Sequence, residues 1–431
     1  MSSIMLDLWQ YVPRTYGNEP LGRQAKPNYT AAMQESPHLI PPWFALPEPY
    51  PIDHATIIGG GVAGCQIAHA LAKRGWQVTL LERHARLATE ASGNRAGVLT
   101  PKMTAEAGWG ETFYQQAFLY AIEQIRQLEA TGQVIEWSQC GALQLAHEPR
   151  EAARQQALRE RDLPPDFIRL LDQQAASAVA GIPLPSGASY FPQAGWVNPA
   201  SLCAALVAHP QITVRTLTDT THLPSTGITI IASGREADQF AETAFLPFLP
   251  VMGQTSQVAA SHESELLKTT IGHEGYLTPA IAGQHVFGAT FVRNVRDAVL
   301  DSAADTTNFQ QLAQYLPDFA RSLQGVEGSH AAIRMTTPDR YPVVGALPDV
   351  DFYHQAYADL RHGRASQCFP QARYQQGVFM LAGFGSRGLT TSGWCADLLA
   401  ATITGDTLPV ATMLYKQLHP ARFLIRQMRR G

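Results

Sequence analysis

The sequence has no apolar run of about eighteen residues, the length a membrane-spanning helix requires. Its N-terminus lacks a basic stretch followed by an apolar core, so no secretory leader is expected and the cytoplasm is the default setting. Cysteine is sparse. The five residues Cys65, Cys140, Cys203, Cys368 and Cys395 are scattered without a CxxC pair, which argues against a disulfide framework or a zinc site. Charge of one sign is lacking too. Thirty-two Lys and Arg against 36 Asp and Glu leave a net charge of −4, so no global field draws the chain to nucleic acid. A polyanion would need a local patch. One candidate is the C-terminus, where Lys416, Arg422, Arg426, Arg429 and Arg430 follow the last acid, Asp406. A solvated helix face is the plainer reading.

With 45% hydrophobic and 16% charged residues, 431 residues suffice for two or three core-forming units. Residues 1–52 are proline-rich and read as an extended lead-in. His54-Ala55-Thr56-Ile57-Ile58 then reads as a buried strand. It enters Gly59-Gly60-Gly61-Val62-Ala63-Gly64 directly, and Ala63, Ile67, Ala70 and Leu71 recur at helical spacing up to Gly75. A second strand, residues 76–81, ends at Glu82. Further on, 111–130 and 151–180 read as helices, and 227–232 as a strand ending at Ser233-Gly234. Several strands are expected within 245–295. Val378–Ala382 reads as a strand, and a helix is expected from about Gly393 to Thr404.

Gly59, Gly61 and Gly64 form G-x-G-x-x-G between a strand and a helix. The first permits the tight turn, the second lets a pyrophosphate reach the backbone, and the third lets helix and strand pack closely. The helix N-terminus offers unpaired N–H groups to phosphate. Glu82 stands where a carboxylate accepts hydrogen bonds from ribose hydroxyls. NAD would satisfy these residues equally well. Two later segments favour a flavin dinucleotide: the small polar loop Glu90–Gly97, and Gly383-Phe384-Gly385-Ser386-Arg387-Gly388, which opens a helix toward where reduced flavin gathers charge.

The first unit, Ala91-Ser92-Gly93-Asn94-Arg95 and Gly385-Ser386-Arg387-Gly388-Leu389 together resemble the glycine/D-amino-acid oxidase family of FAD oxidoreductases. Phe191-Pro192-Gln193-Ala194-Gly195-Trp196, Gly275-Tyr276-Leu277-Thr278-Pro279 and Leu418-His419-Pro420-Ala421-Arg422 narrow the resemblance. They are similar to a branch that modifies the wobble uridine of tRNA, over about residues 41–431.

The resemblance implies an α/β fold: a Rossmann-like FAD-binding domain from 53–107, 190–243 and 334–431, with an α+β substrate domain from 108–189 and 244–333 inserted. It implies noncovalent FAD, held by Gly59, Gly61, Gly64, Glu82, Ser92, Gly93, Asn94, Arg95, Gly97, Gly234, Gly385, Ser386, Gly388 and Leu389. The implied substrate is the anticodon region of tRNA. The implied reaction removes the carboxymethyl arm of a carboxymethylaminomethyl group on uridine 34 and gives glyoxylate. That group is an N-substituted glycine, so a cation must hold its carboxylate. Arg334, ahead of Met335-Thr336-Thr337-Pro338-Asp339, and Arg387 are the candidates, because a guanidinium fork matches a carboxylate. Tyr276 is a candidate wall or hydrogen-bond donor. The roughly fifty residues before the first strand hold no methyltransferase signature, so a separate methyltransferase is expected to act on the product. A small-molecule amine oxidase acting on glycine, sarcosine or a D-amino acid is the rival reading.

Overall fold

The computed structural model describes residues 41–224, 226–362 and 368–430, so most of the proline-rich lead-in lies outside the described residues. The expected strand–helix–strand unit is present. β1 (His54–Ile58) runs into α1 (Val62–Ala72), and β2 (Gln77–Leu81) returns parallel to β1. Ala55 and Ile57 are fully buried, as expected of a strand covered on both faces.

Six strands form the first sheet, in the order Val343–Pro348, Tyr374–Ala382, Ile228–Ile231, β1, β2, Ile212–Arg215. All neighbours are parallel except Val343–Pro348, which runs antiparallel at the edge. β1 therefore pairs with a strand about 170 residues further on, and that strand pairs with one about 150 residues beyond it. The helix expected from Gly393 already begins at Gly388 and continues to Thr404. It is buried around almost its whole circumference between α1 and the helix Trp109–Ala130. Ala396, Ala400 and Ala401 on it permit this close packing.

A second, nine-stranded mixed sheet gathers strands from 142–191 and 249–336. Its longest members, Leu249–Ala259 and Gly328–Thr336, are antiparallel along their whole length. The segment 151–180 departs from the helical expectation. Helices occupy Pro149–Arg159 and Gln173–Ala180, with a strand at Arg169–Leu171 between them. Pro164 and Pro165 explain the break, because proline removes a donor and restricts the residue before it. Among the described residues, no helix is long and apolar enough to cross a membrane.

Candidate active site

The site starts at the β1–α1 turn. Gly59 has φ +112°, and a Cβ there would stand 2.5 Å from the Ala232 carbonyl oxygen. A Cβ on Gly64 would fall 1.8 Å from the Gly59 oxygen, so only glycine lets α1 pack this close. Gly61 faces open space apart from the Ser92 hydroxyl. That hydroxyl accepts from Val62 N at 3.0 Å. Glu82 is buried and follows β2. Its Oε2 accepts from Gly60 N and its Oε1 from His84 N, both at 2.8 Å. Across the turn, Gly234 has φ +56° with nothing near its Cβ position, and the buried Ser233 hydroxyl has no partner.

The helix Gly388–Thr404 brings a second N-terminus to the same place. No side chain caps it. A Cβ on Gly388 would lie 3.6 Å from Val62, so the two helix starts are neighbours. Leu389 packs on Gly97, which has no room for a side chain. Ser386 is exposed beside them. The glycine-rich segments from 59, 93 and 385 thus converge.

One face of the nine-stranded sheet closes the site from the other side. Cross-strand partners share a face, so His330, Thr255, Gly288 and Tyr276 form one row. Arg334 and Thr336 lie further along His330's strand on the same face. The Glu90–Gly97 loop is pinned to this row. His330 Nε2 donates to Glu90 O at 2.8 Å, Thr255 Oγ1 donates to Asn94 Oδ1 at 3.2 Å, and Asn94 Nδ2 donates to the Tyr276 hydroxyl at 2.7 Å. Tyr276 in turn donates to Ala96 O at 3.1 Å. At the far end of the strand, Gly385 sits against Thr336. Arg334 therefore stands between the two loops. Its guanidinium lies over Gly253, where a Cβ would come within 2.7 Å of Nη1, and 5.2 Å from the centre of the exposed Phe291 ring.

Electrostatics sets Arg334 and Arg387 apart. Both are half-buried, and neither has a carboxylate partner among the described residues. Arg387 reaches Thr100 O, at 3.4 Å, and the face of Tyr114. Burial lowers the pKa of both guanidinium groups, partly offset by Tyr276 for Arg334 and by Tyr114 for Arg387. Burial also lowers His330, helped by Arg334, so this imidazole is neutral near pH 7. A desolvated cation without a partner favours whatever anion reaches it. Tyr276 is pushed up by burial, although Asn94 counters this, and it stays a neutral phenol.

Two expected cofactor ligands have their side chains engaged elsewhere. Arg95 forms a two-pronged pair with Glu136, both contacts at 2.5 Å. Asn94 is consumed in pinning Tyr276. Sequence reading missed Thr255, His330 and Gly253, whose only signal is their register across two long strands. The basic C-terminus is corrected at two of its five residues. Arg422 is 2% exposed and donates to Asp339, Leu418 O, His419 O and Tyr341 O, and Arg426 also pairs with Asp339. Burial raises Asp339, but the two guanidinium groups outweigh it and hold it at about 2. These two arginines fasten the last helix and are not free for a phosphate.

The family model for FAD dependent oxidoreductases matches residues 54–402, and the chain belongs to that family. It is similar to the tRNA 5-methylaminomethyl-2-thiouridine biosynthesis bifunctional protein MnmC of Chromobacterium violaceum, with 37% identity over 90% of this chain and 62% of that protein. The MnmC of Pseudomonas syringae pv. tomato is 36% identical over the same shares. The chain thus spans under two thirds of the length of these relatives. Glycine oxidase from Geobacillus kaustophilus shares the fold, with a TM-score of 0.69 and 22% identity over 85% of this chain and 98% of that one. Iminodiacetate oxidase from Chelativorans sp. BNC1 does so with a TM-score of 0.65 and 20% identity over the same shares. The chain is an FAD-dependent oxidoreductase, and its site fits the cofactor. Gly61 and Gly234 leave space, two helix starts adjoin that space with only the Ser92 hydroxyl reaching the first of them, and the Glu82 carboxylate keeps lone pairs for ribose hydroxyls.

Proposed function

We propose that this chain removes the carboxymethyl arm of 5-carboxymethylaminomethyl-(2-thio)uridine at tRNA position 34, leaving the aminomethyl group and glyoxylate. The observation that carries the reading is the pair of half-buried arginines without counterions, Arg334 and Arg387, beside the cofactor loops. The likeness to two MnmC proteins supports the tRNA substrate. In this reading 53–107, 190–243 and 334–431 form the FAD-binding domain, and 108–189 with 244–333 the substrate domain. Noncovalent FAD is held by the glycines of the three converging segments, Ser92 and Glu82. A separate methyltransferase would act on the product.

Bound FAD supplies the two-electron acceptor. The protein's own groups do the positioning. The Arg334 fork takes the substrate carboxylate bidentately, and Gly253 leaves it room to turn. Tyr276, fixed by Asn94 and Ala96, forms the wall against which the glycyl CH2 rests. The positive field of both arginines lowers the pKa of the substrate's secondary ammonium, so it loses its proton on binding. Oxidation removes two electrons and two protons from the N–CH2 unit. Water then adds to the C=N carbon and the C–N bond breaks.

The test is incubation of the FAD-loaded chain with tRNA bearing the carboxymethylaminomethyl group, followed by nucleoside mass spectrometry and a glyoxylate assay. Stoichiometric aminomethyl-uridine and glyoxylate are expected. Turnover of glycine, sarcosine or a D-amino acid with no change in the tRNA would overturn the tRNA reading in favour of a small-molecule amine oxidase.

A further inference from the structure

Lys102 and Arg387 flank one ring. The Lys102 ammonium lies 5.1 Å, and the Arg387 guanidinium 5.4 Å, from the centre of Tyr114. Tyr114 stacks on Tyr341 with centroids 6.2 Å apart and planes 28° apart, and Tyr341 meets Trp109 at 4.2 Å and 35°. Trp109 ends this row and is 44% exposed. Gly110 makes the contact possible, since a Cβ there would strike the Tyr341 hydroxyl at 2.1 Å. Arg340 belongs to the same cluster: its carbonyl accepts from the Tyr114 hydroxyl at 3.2 Å. The residue is exposed, in the turn between two strands, with its backbone at φ +64°.

The charges here do not cancel. Asp339, next to Arg340, is committed to Arg422 and Arg426. Glu151 pairs with Arg154, at 2.6 Å. Lys102, Arg340, Arg387 and the exposed Arg150 have no acidic partner among the described residues. Burial lowers the Lys102 pKa, and the charges of Arg387, Arg340, Arg154 and Arg150 lower it further. These cations are held together against their own repulsion around a row of aromatic faces, one end of which is open to water.

We propose that Trp109, Tyr341, Lys102 and Arg340 form the dock for the single-stranded anticodon loop, with a base next to the wobble nucleotide stacked on Trp109 and adjacent phosphates held by Lys102 and Arg340. The proposal rests on the tRNA reading above. Stacking tolerates any base because every base has a π-face, and cations along the row follow the backbone. A small amino-acid substrate has no use for such a surface. Arg387 joins the two regions, with one end of the dock on Tyr114 and the reacting group beyond it.

The test uses the full FAD-loaded chain and an anticodon stem-loop RNA. Binding is followed by fluorescence anisotropy across a salt series. Trp109→Ala should weaken binding about 10- to 100-fold, and Trp109→Phe should restore most of it. Lys102→Gln and Arg340→Asn should each flatten the log–log salt slope by about 0.7. Asparagine tolerates the positive φ of Arg340, so the fold is retained. All four variants should reduce bound flavin with a minimal N-substituted glycine at the wild-type rate. Wild-type binding that none of these variants alters by more than about twofold would overturn the dock while leaving the tRNA reading standing. Absence of RNA binding by the wild-type chain would overturn both.

Discussion

Two pairs of arginines put the same side chain to opposite uses. Arg422 and Arg426 converge on Asp339 and close the end of the chain onto the sheet. Arg334 and Arg387 are half-buried and have no carboxylate partner among the described residues. A buried guanidinium with its counterion is structure. A half-buried guanidinium without one favours an anion that reaches it, which is why the proposed reaction gives these two the substrate carboxylate.

The comparison can be broken by substitution. Arg422→Ala strands the Asp339 charge beside Arg426 alone and should cost about 3–5 kcal/mol, read as a fall in the denaturant midpoint. Arg334→Lys should leave that midpoint unchanged yet lower kcat/KM for modified tRNA about 100-fold, since lysine keeps the charge and loses the fork that orients the CH2 group. Equal stability losses in the two variants would erase the distinction. Glu82→Ala should weaken FAD binding by about 1.5–3 kcal/mol, measured by titrating apoprotein, with the fold intact. Acid precipitation of the wild type should release all flavin to the supernatant, and colour kept in the pellet would show a covalent link.

The smallest effect is a pH dependence. The Asp339 carboxyl titrates in the folded chain at about 2, below its unfolded value. The stability it contributes is therefore complete above the ordinary aspartate range and is lost as pH falls through about 2. The stability gap between wild type and Asp339→Asn should be constant near neutrality and close as the solution is acidified. A gap that instead closes on raising the pH would show that the pair is not what holds the helix.

What sequence alone revealed was local. Gly59, Gly61, Gly64 and Glu82 fall within one strand–helix–strand unit, where spacing dictates geometry, and all stand where the motif implies. Side-chain direction was not legible. The Arg95 side chain pairs with Glu136, 41 residues on, a partner no reading of its loop contains. Arg422 looked like part of a basic tail, because Asp339 lies 83 residues earlier. The edge strand Ile212–Arg215 was missed, since four residues with an alternating, half-exposed pattern carry little signal. His330 and Thr255 depend on register between strands about 75 residues apart, which no short window contains.

The pairing order of the six-stranded sheet has a consequence for synthesis on the ribosome. β1 and the turn after it are made before β1's second neighbour, Ile228–Ile231, which follows only after three of the nine strands of the second sheet. Tyr374–Ala382 and the buried helix Gly388–Thr404 come later still. Until they are made, Ile228–Ile231 has a bare edge and α1 lacks the helix that covers it. A nascent chain in that state exposes the surfaces that seek wrong partners. The segment at Gly385 that converges on those of Gly59 and Gly93 is made in the same late stretch, so the three meet only once Gly388–Thr404 has packed against α1.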